Sequence, residues 1–127
     1  MSALVLDAGA LVAVDRGDRA MLARLRVAQR EGLELRSTGV VVAQVWRDPA
    51  GRQASLARLL KAVDVKAVDE HLGRQAGVLL GRAGTEDAVD ASVVAVSATG
   101  DRIVTSDPGD IDRLVAACER SILVVAC

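Results

Sequence analysis

The chain has 127 residues, 51% hydrophobic and 26% charged, with a formal net charge of −1 at pH 7. A chain of this length buries roughly two thirds of the surface that its unfolded form exposes, and its composition is far from the low-hydrophobicity, high-charge profile of disorder. The single aromatic residue, Trp46, excludes modules that stack bases on Phe or Tyr platforms, and two cysteines, Cys118 and Cys127, can build neither a disulfide framework nor a zinc cluster. Every apolar run is broken by Arg, Asp or Glu before it reaches the length of a membrane span. The amino terminus, MSALVLDAGALVAVDRG, lacks the basic start and cleavage site of a secretory signal, so a cytoplasmic protein is expected.

In chain order, the apolar run at 3–6 ends at Asp7 and is followed by small residues, which predicts a buried strand turning into a helix. From Asp18 to about Arg30, Met21, Leu22, Leu25 and Ala28 recur at helical spacing, opposite Arg19, Arg24, Arg26 and Arg30; Gly32 closes this basic amphipathic helix. A short strand is expected at 33–35, after which Ser37 or Thr38 caps a helix running through Trp46 to Arg47, ended by Asp48-Pro49. Residues 53–62 and 69–82 read as helices with a short strand at 63–68 between them. Another helix is expected from Thr85 through Ser97, then a strand at 102–106 delivering Asp107, a helix at 111–119 and a last strand at 122–125.

Strands separated by helices over the whole length predict one α/β domain, residues 1–127, with a mostly parallel central sheet flanked by helices. In such sheets ligands bind beyond the carboxyl ends of the strands, where Asp7 and Asp107 both fall. The charge is uneven: residues 1–60 carry nine arginines against six acids, whereas 61–127 carry seven basic residues against eleven acids. Glu86, Asp87, Asp90, Asp101, Asp107, Asp110 and Asp112 crowd one stretch with only Arg102 in opposition. Either this is a solvated surface, or a divalent cation offsets the repulsion.

Asp7, Asp90 and Asp107 are the best candidates to converge on Mg²⁺ or Mn²⁺, hard cations held by a few carboxylates plus water, with Asp87 and Asp110 as further donors. Each acid also has a structural use. Asp7 can cap the next helix, and Asp107 followed by Pro108 is a common helix start. Glu86 and Asp87 suit a first helical turn, and Asp110 and Asp112 suit the cap and flank of the last helix. Asp90 is harder to explain this way, being expected one and a half turns into a helix amid apolar and small residues, where an acid needs a partner or a metal.

Asp7 in LVLDAGALVA, Asp90 in DASVVAVSA and Asp107 in IVTSDPGDI together resemble, in order and spacing, the three characteristic segments of PIN-domain proteins, in particular the VapC-like ribonuclease toxins of type II toxin–antitoxin systems. The resemblance covers nearly the whole chain. It implies a PIN-like fold and a Mg²⁺- or Mn²⁺-dependent endoribonuclease, often a homodimer, held inactive by a small antitoxin encoded beside it. The chain departs from the pattern at the family's second acid, usually a Glu on the helix after the second strand, where Gln44 stands. A Gln carbonyl can accept a contact from the cation but brings no charge, so weaker metal binding is expected, with Asp48 or Asp87 as compensating acids.

Thr105 or Ser106 either hydrogen-bonds a ligating carboxylate or a phosphate, or merely ends its strand. Arg16, Arg19, Arg24 and Arg47 are either a track for RNA phosphates or a solvated face. The only histidine, His71, reads as a surface residue. Against the nuclease stands a binding module whose site has lost catalysis through Gln44. A receiver domain would need a Lys on a late strand, but the only lysines are Lys61 and Lys66, and a haloacid-dehalogenase-type phosphatase would need an Asp where Gly9 stands.

Overall fold

A computed structural model describes residues 2–127. Five strands form one sheet in the order β3-β2-β1-β4-β5, every pair parallel. The strands are β1 (Ala3–Leu6), β2 (Glu34–Thr38), β3 (Val63–Lys66), β4 (Arg102–Thr105) and β5 (Leu123–Ala126). Helices α1 (Ala8–Asp15) and α2 (Arg19–Arg30) join β1 to β2, while α3 (Gly39–Val45), a 3₁₀ turn at Pro49–Gly51 and α4 (Ala54–Leu60) join β2 to β3. The return to β4 runs through α5 (Glu70–Ala83) and α6 (Ala88–Ala95), and α7 (Pro108–Ala117) leads to β5. Among the described residues no helix is long and apolar enough to cross a membrane.

The strand order gives the architecture its functional polarity. From β1 the chain steps one way to β2 and β3, then returns to the other side of β1 for β4 and β5. Because parallel crossovers are right-handed, the helices before and after this reversal cover opposite faces. The α1 helix packs against α2, α3 and α4, and α5, α6 and α7 pack against one another. The switch point therefore lies between β1 and β4, whose carboxyl ends are Leu6 and Thr105. Strand β1, all apolar and buried on both faces, is the spine of the core, with Ile103 and Val104 of β4 beside it and Leu11, Leu56, Val93, Ile111 and Leu114 closing over it.

Most expected elements are present, with shifted ends that have physical causes. Strand β2 extends to Thr38 rather than stopping at 35, because its polar residues are satisfied inside the fold: the Ser37 hydroxyl donates to the Leu6 carbonyl at 2.8 Å, and Thr38 caps α3. Helix α3 stops at Val45, short of Arg47. The following turn is held by Gln53, whose Oε1 accepts from the backbone N–H groups of Arg47 and Asp48 while its Nε2 donates to Val45 O and to Asp15. That buried amide supports the left-handed backbone of Asp48 and Ala50, at φ 45° and 54°. Gln53 precedes α4 instead of starting it, and β3 ends at Lys66 instead of 68.

Two further corrections move the acids. Helix α6 spans 88–95, not 85–97, because the Asp87 carboxylate accepts from Asp90 N at 3.0 Å and starts the helix there. Helix α7 begins at Pro108, not 111, with Asp107 as its cap. Asp90 and Asp110 thus both lie in first turns; Asp90 is not one and a half turns deep, and Asp110 is not a cap.

Asp101 leaves the acidic cluster altogether. It is buried at the amino end of β4, accepting from Ala3 N at 2.8 Å, Ala98 N at 2.7 Å and Arg36 Nη1 at 3.1 Å. Arg36 also donates to Val96 O and pairs with Glu34. This one carboxylate ties β1, β2 and the turn before β4 at the sheet edge opposite the remaining acids. Removing one partner of a buried pair leaves the other uncompensated. We therefore expect Asp101→Ala to lower the unfolding free energy by about 3–5 kcal/mol, read as a fall in urea midpoint, with Asp101→Asn losing less; a midpoint within error of wild type would contradict the clamp.

Candidate metal centre

Four helices begin at the carboxyl edge of the sheet, and their capping residues assemble the site. Asp7 caps α1 by accepting from Ala10 N at 3.0 Å, Thr38 caps α3, Asp87 caps α6, and Asp107 caps α7 by accepting from Asp110 N at 3.5 Å. Each capping carboxylate uses Oδ1 for the cap, so the structural use expected of these acids orients the group without spending both of its oxygens on the helix start. The positive ends of the helix dipoles favour the gathered anions. In both α6 and α7 the capping Asp is followed three residues later by a second one, Asp90 or Asp110.

One oxygen each from Asp90, Asp107 and Asp110 lies within 4.8 Å of the others. Oxygens bound to one Mg²⁺ at about 2.1 Å are at most about 4.2 Å apart, so small side-chain adjustments would close the group around an ion. All three donors are hard oxygens, the class that Mg²⁺ and Mn²⁺ prefer. The residues present fit a divalent cation.

Electrostatics point the same way. The Asp90 carboxyl is pushed up to about 7, first by burial and then by the charges of Asp87, Asp7, Asp107 and Asp110. Asp7 is buried and also raised, by desolvation, against hydrogen bonds from Thr105 and the backbone of Ala10, Gly9 and Ser106. Asp110 is raised by its hydrogen bond with Asp107 and by that neighbour's charge. Asp7 is outside the group of three whose oxygens meet, yet its charge reaches Asp90. Asp87, exposed, adds a further negative charge from the rim.

Thr105 is fully buried, and its hydroxyl does more than end the strand: it accepts from Asp107 N at 2.9 Å and sets the environment of Asp7, linking acids from two strand ends. Ser106 is exposed and packs on Gly9, where a Cβ would come within 2.5 Å of the Ser106 Cβ and closer still to its Oγ. Glycine at 9 is what allows the β4–α7 turn to reach the start of α1. The Thr38 and Ser92 hydroxyls meet at 3.0 Å; Ser92 donates its one proton to Val89 O, so Thr38 donates to Ser92, joining α3 to α6.

Gln44 lies exposed on the last turn of α3, without a hydrogen bond from its side chain among the described residues, and Asp48 is exposed beyond that helix; neither belongs to the three-acid group. Glu86 and Asp112 are exposed and outside it too. Among the arginines, Arg16 and Arg19 are exposed, whereas Arg24 donates to Ala126 O, and Arg47 to Ala43 O and Trp46 O. His71 is exposed on the first turn of α5. Gly9, Gln53, Ser92 and Asp101 carry the support, but the sequence offered no signal for them beyond Gly9 lying two residues after Asp7.

Two measurements follow from this geometry. Between about pH 4 and 7 the folded protein holds a proton on Asp90 that the unfolded chain has lost, so metal-free stability falls as pH rises through that window. With the partial exposure of Asp90 discounted, Asp90→Asn is expected to be about 1–2 kcal/mol more stable than wild type at pH 8 in EDTA and equal to it near pH 4; an unchanged pH slope would contradict the crowding. Gly9→Ala should cost about 1–3 kcal/mol through overpacking, whereas Gly109→Ala, with open space around it, should cost nothing; equal urea midpoints for the two variants would show that the turn yields freely.

No family model and no curated protein matches the sequence. Among solved structures, the crystal structure of VapBC2 from Rickettsia felis bound to a DNA fragment from their promoter contains a chain that superposes with a TM-score of 0.72 at 12% identity, over 98% of this chain and 98% of that one. The fold is PIN-like: an α/β architecture with an all-parallel central sheet flanked by helices.

Proposed function

We propose that residues 1–127 form one PIN-like domain acting as a divalent-metal-dependent endoribonuclease, the toxin of a VapBC-type pair, working in the cytoplasm as a homodimer and restrained by a small antitoxin protein. The observation that carries this reading is the meeting of Asp90, Asp107 and Asp110 at the topological switch point of the sheet, where open α/β sheets bind their ligands. The likeness to the VapBC2 structure supports the same fold and, through its name, the partner.

In this reading Asp7, Asp90 and Asp107 hold Mg²⁺ or Mn²⁺, with Asp110 and Asp87 as additional donors. Bound divalent ions would supply Lewis acidity at the scissile phosphate and an activated water. The chain's own part is positional. The caps fix the carboxylates before any ligand arrives, Thr105 holds Asp7 and the Asp107 backbone together, and Arg16 and Arg19 offer exposed charge to the RNA backbone. Arg24 and Arg47 contribute less, their guanidinium groups being already engaged with carbonyls. Neither a His nor a Cys nucleophile is needed, in keeping with the exposed position of His71.

Gln44 favours a second reading. It supplies a neutral amide where the family carries an acid, and a site short of that charge would leave a PIN-like binding module acting through protein or RNA contacts. Cleavage of RNA by the purified, partner-free protein with Mg²⁺ or Mn²⁺ separates the two. We expect cleavage that is abolished by EDTA and reduced at least about 100-fold by Asp90→Asn; intact RNA across several substrates would favour the binding module.

A further inference from the structure

A cleft of about 450 Å³ opens beside the acids, between the outer side of α1, the β4–α7 turn and the end of the chain. Gly9 and Ser106, whose contact brings the two acid-bearing turns together, form its inner end, so it begins where the metal centre stops. Ala8, Val12 and Ala13 line its α1 side, Cys127 faces them, and Arg16 stands at the far rim. Arg16 follows the last turn of α1, about 12 Å along the helix from Ala8 at 1.5 Å per residue. Its guanidinium is exposed and makes no hydrogen bond or ion pair among the described residues. Asp18 lines the same rim, its carboxylate engaged as the cap of α2, where it accepts from Met21 N at 2.9 Å.

An anionic centre at one end, an apolar wall along the side and a free cation at the other end match an extended polyanion with an apolar flank. A nucleic-acid strand has that make-up: a phosphate to be cleaved over the ions, a nucleoside to lie on Val12 and Ala13, and a further phosphate for Arg16. Resting on the nuclease reading, we infer that this cleft is the subsite for the nucleotides flanking the scissile phosphate on one side, and that Arg16 is a positioning residue that holds a phosphate there. Ser106, exposed between the two regions, offers a hydroxyl to the same strand. The subsite would make the enzyme prefer oligonucleotides over dinucleotides, because only the longer strand reaches Arg16.

The test uses the intact chain with Mn²⁺ and a fluorescent oligoribonucleotide of eight nucleotides whose bridging 3′-oxygens are replaced by methylene, which keeps the phosphonate charges and resists hydrolysis, so that binding is read without turnover. Arg16→Ala is expected to weaken binding about three- to tenfold at low salt and to flatten the slope of log K against log salt by about 0.7, the loss of one phosphate contact on a single strand. Arg16→Lys should restore both. Bound oligonucleotide should slow alkylation of Cys127 in the wild type. In cleavage assays Arg16→Ala should raise KM for the octamer, leave kcat unchanged and leave a dinucleotide unaffected.

Equal affinity and salt slope for Arg16→Ala and wild type would overturn the subsite even if the wild type cleaves RNA. A wild type that does not bind the oligonucleotide would also overturn it, leaving the cleft to an apolar protein segment. Failure of the nuclease reading is seen separately, as binding with normal Arg16 dependence but no cleavage.

Discussion

Everything at the carboxyl edge of this sheet depends on keeping several carboxylates close together. Asp7, Asp87, Asp90, Asp107 and Asp110 occupy the starts of three helices, and burial, with the charges of the neighbouring acids added to it, raises the Asp90 carboxyl to about 7. Helix N-termini make this crowding tolerable, since unsatisfied backbone N–H groups and the dipoles they terminate attract anions. A cation would discharge what remains. The same interaction that caps a helix therefore also orients the carboxylates that crowd this edge.

The scaffold holds this strained edge from the opposite end. Asp101, buried with Arg36 and two backbone partners, binds β1, β2 and β4 where the strands start, so that the strand ends carrying Asp7 and Asp107 emerge side by side. Close approach is completed by Gly9 against Ser106 and by the buried Thr105 hydroxyl. Between the two edges lies an uninterrupted apolar spine, Ala3–Leu6 flanked by Ile103 and Val104. The buried clamp lies at one edge and the crowded carboxylates at the other, the edge where open parallel sheets with one reversal of strand order bind ligands.

The alternation of apolar strands with amphipathic helices made the α/β class and nearly every element legible from sequence, because burial on both faces leaves β1 and β4 as plain apolar runs. The acids at strand ends were legible for the same reason: a charge directly after such a run can fall only at the edge. Boundaries were less so wherever a side chain chose between solvent and backbone. Asp87 and Asp107 started their helices earlier or later than periodicity suggested, which carried Asp90 and Asp110 into first turns. Arg36 and Ser37 sit inside a strand because partners distant in sequence, Asp101 and Leu6, satisfy them, and no local pattern encodes such pairings. Asp101 looked like one more member of an acidic run, and only the fold distinguishes it from Asp107.

The crowded carboxylates lie close enough to hold a divalent cation. The most direct test is calorimetric titration of the protein with Mn²⁺ near pH 7 in two buffers of different ionisation enthalpy. Binding should be saturable and accompanied by proton release, because Asp90, whose carboxyl is raised to about 7, must ionise to become a ligand. Absence of binding, or binding with no proton release and undiminished in Asp90→Asn, would contradict the account and show the acids to be helix caps alone.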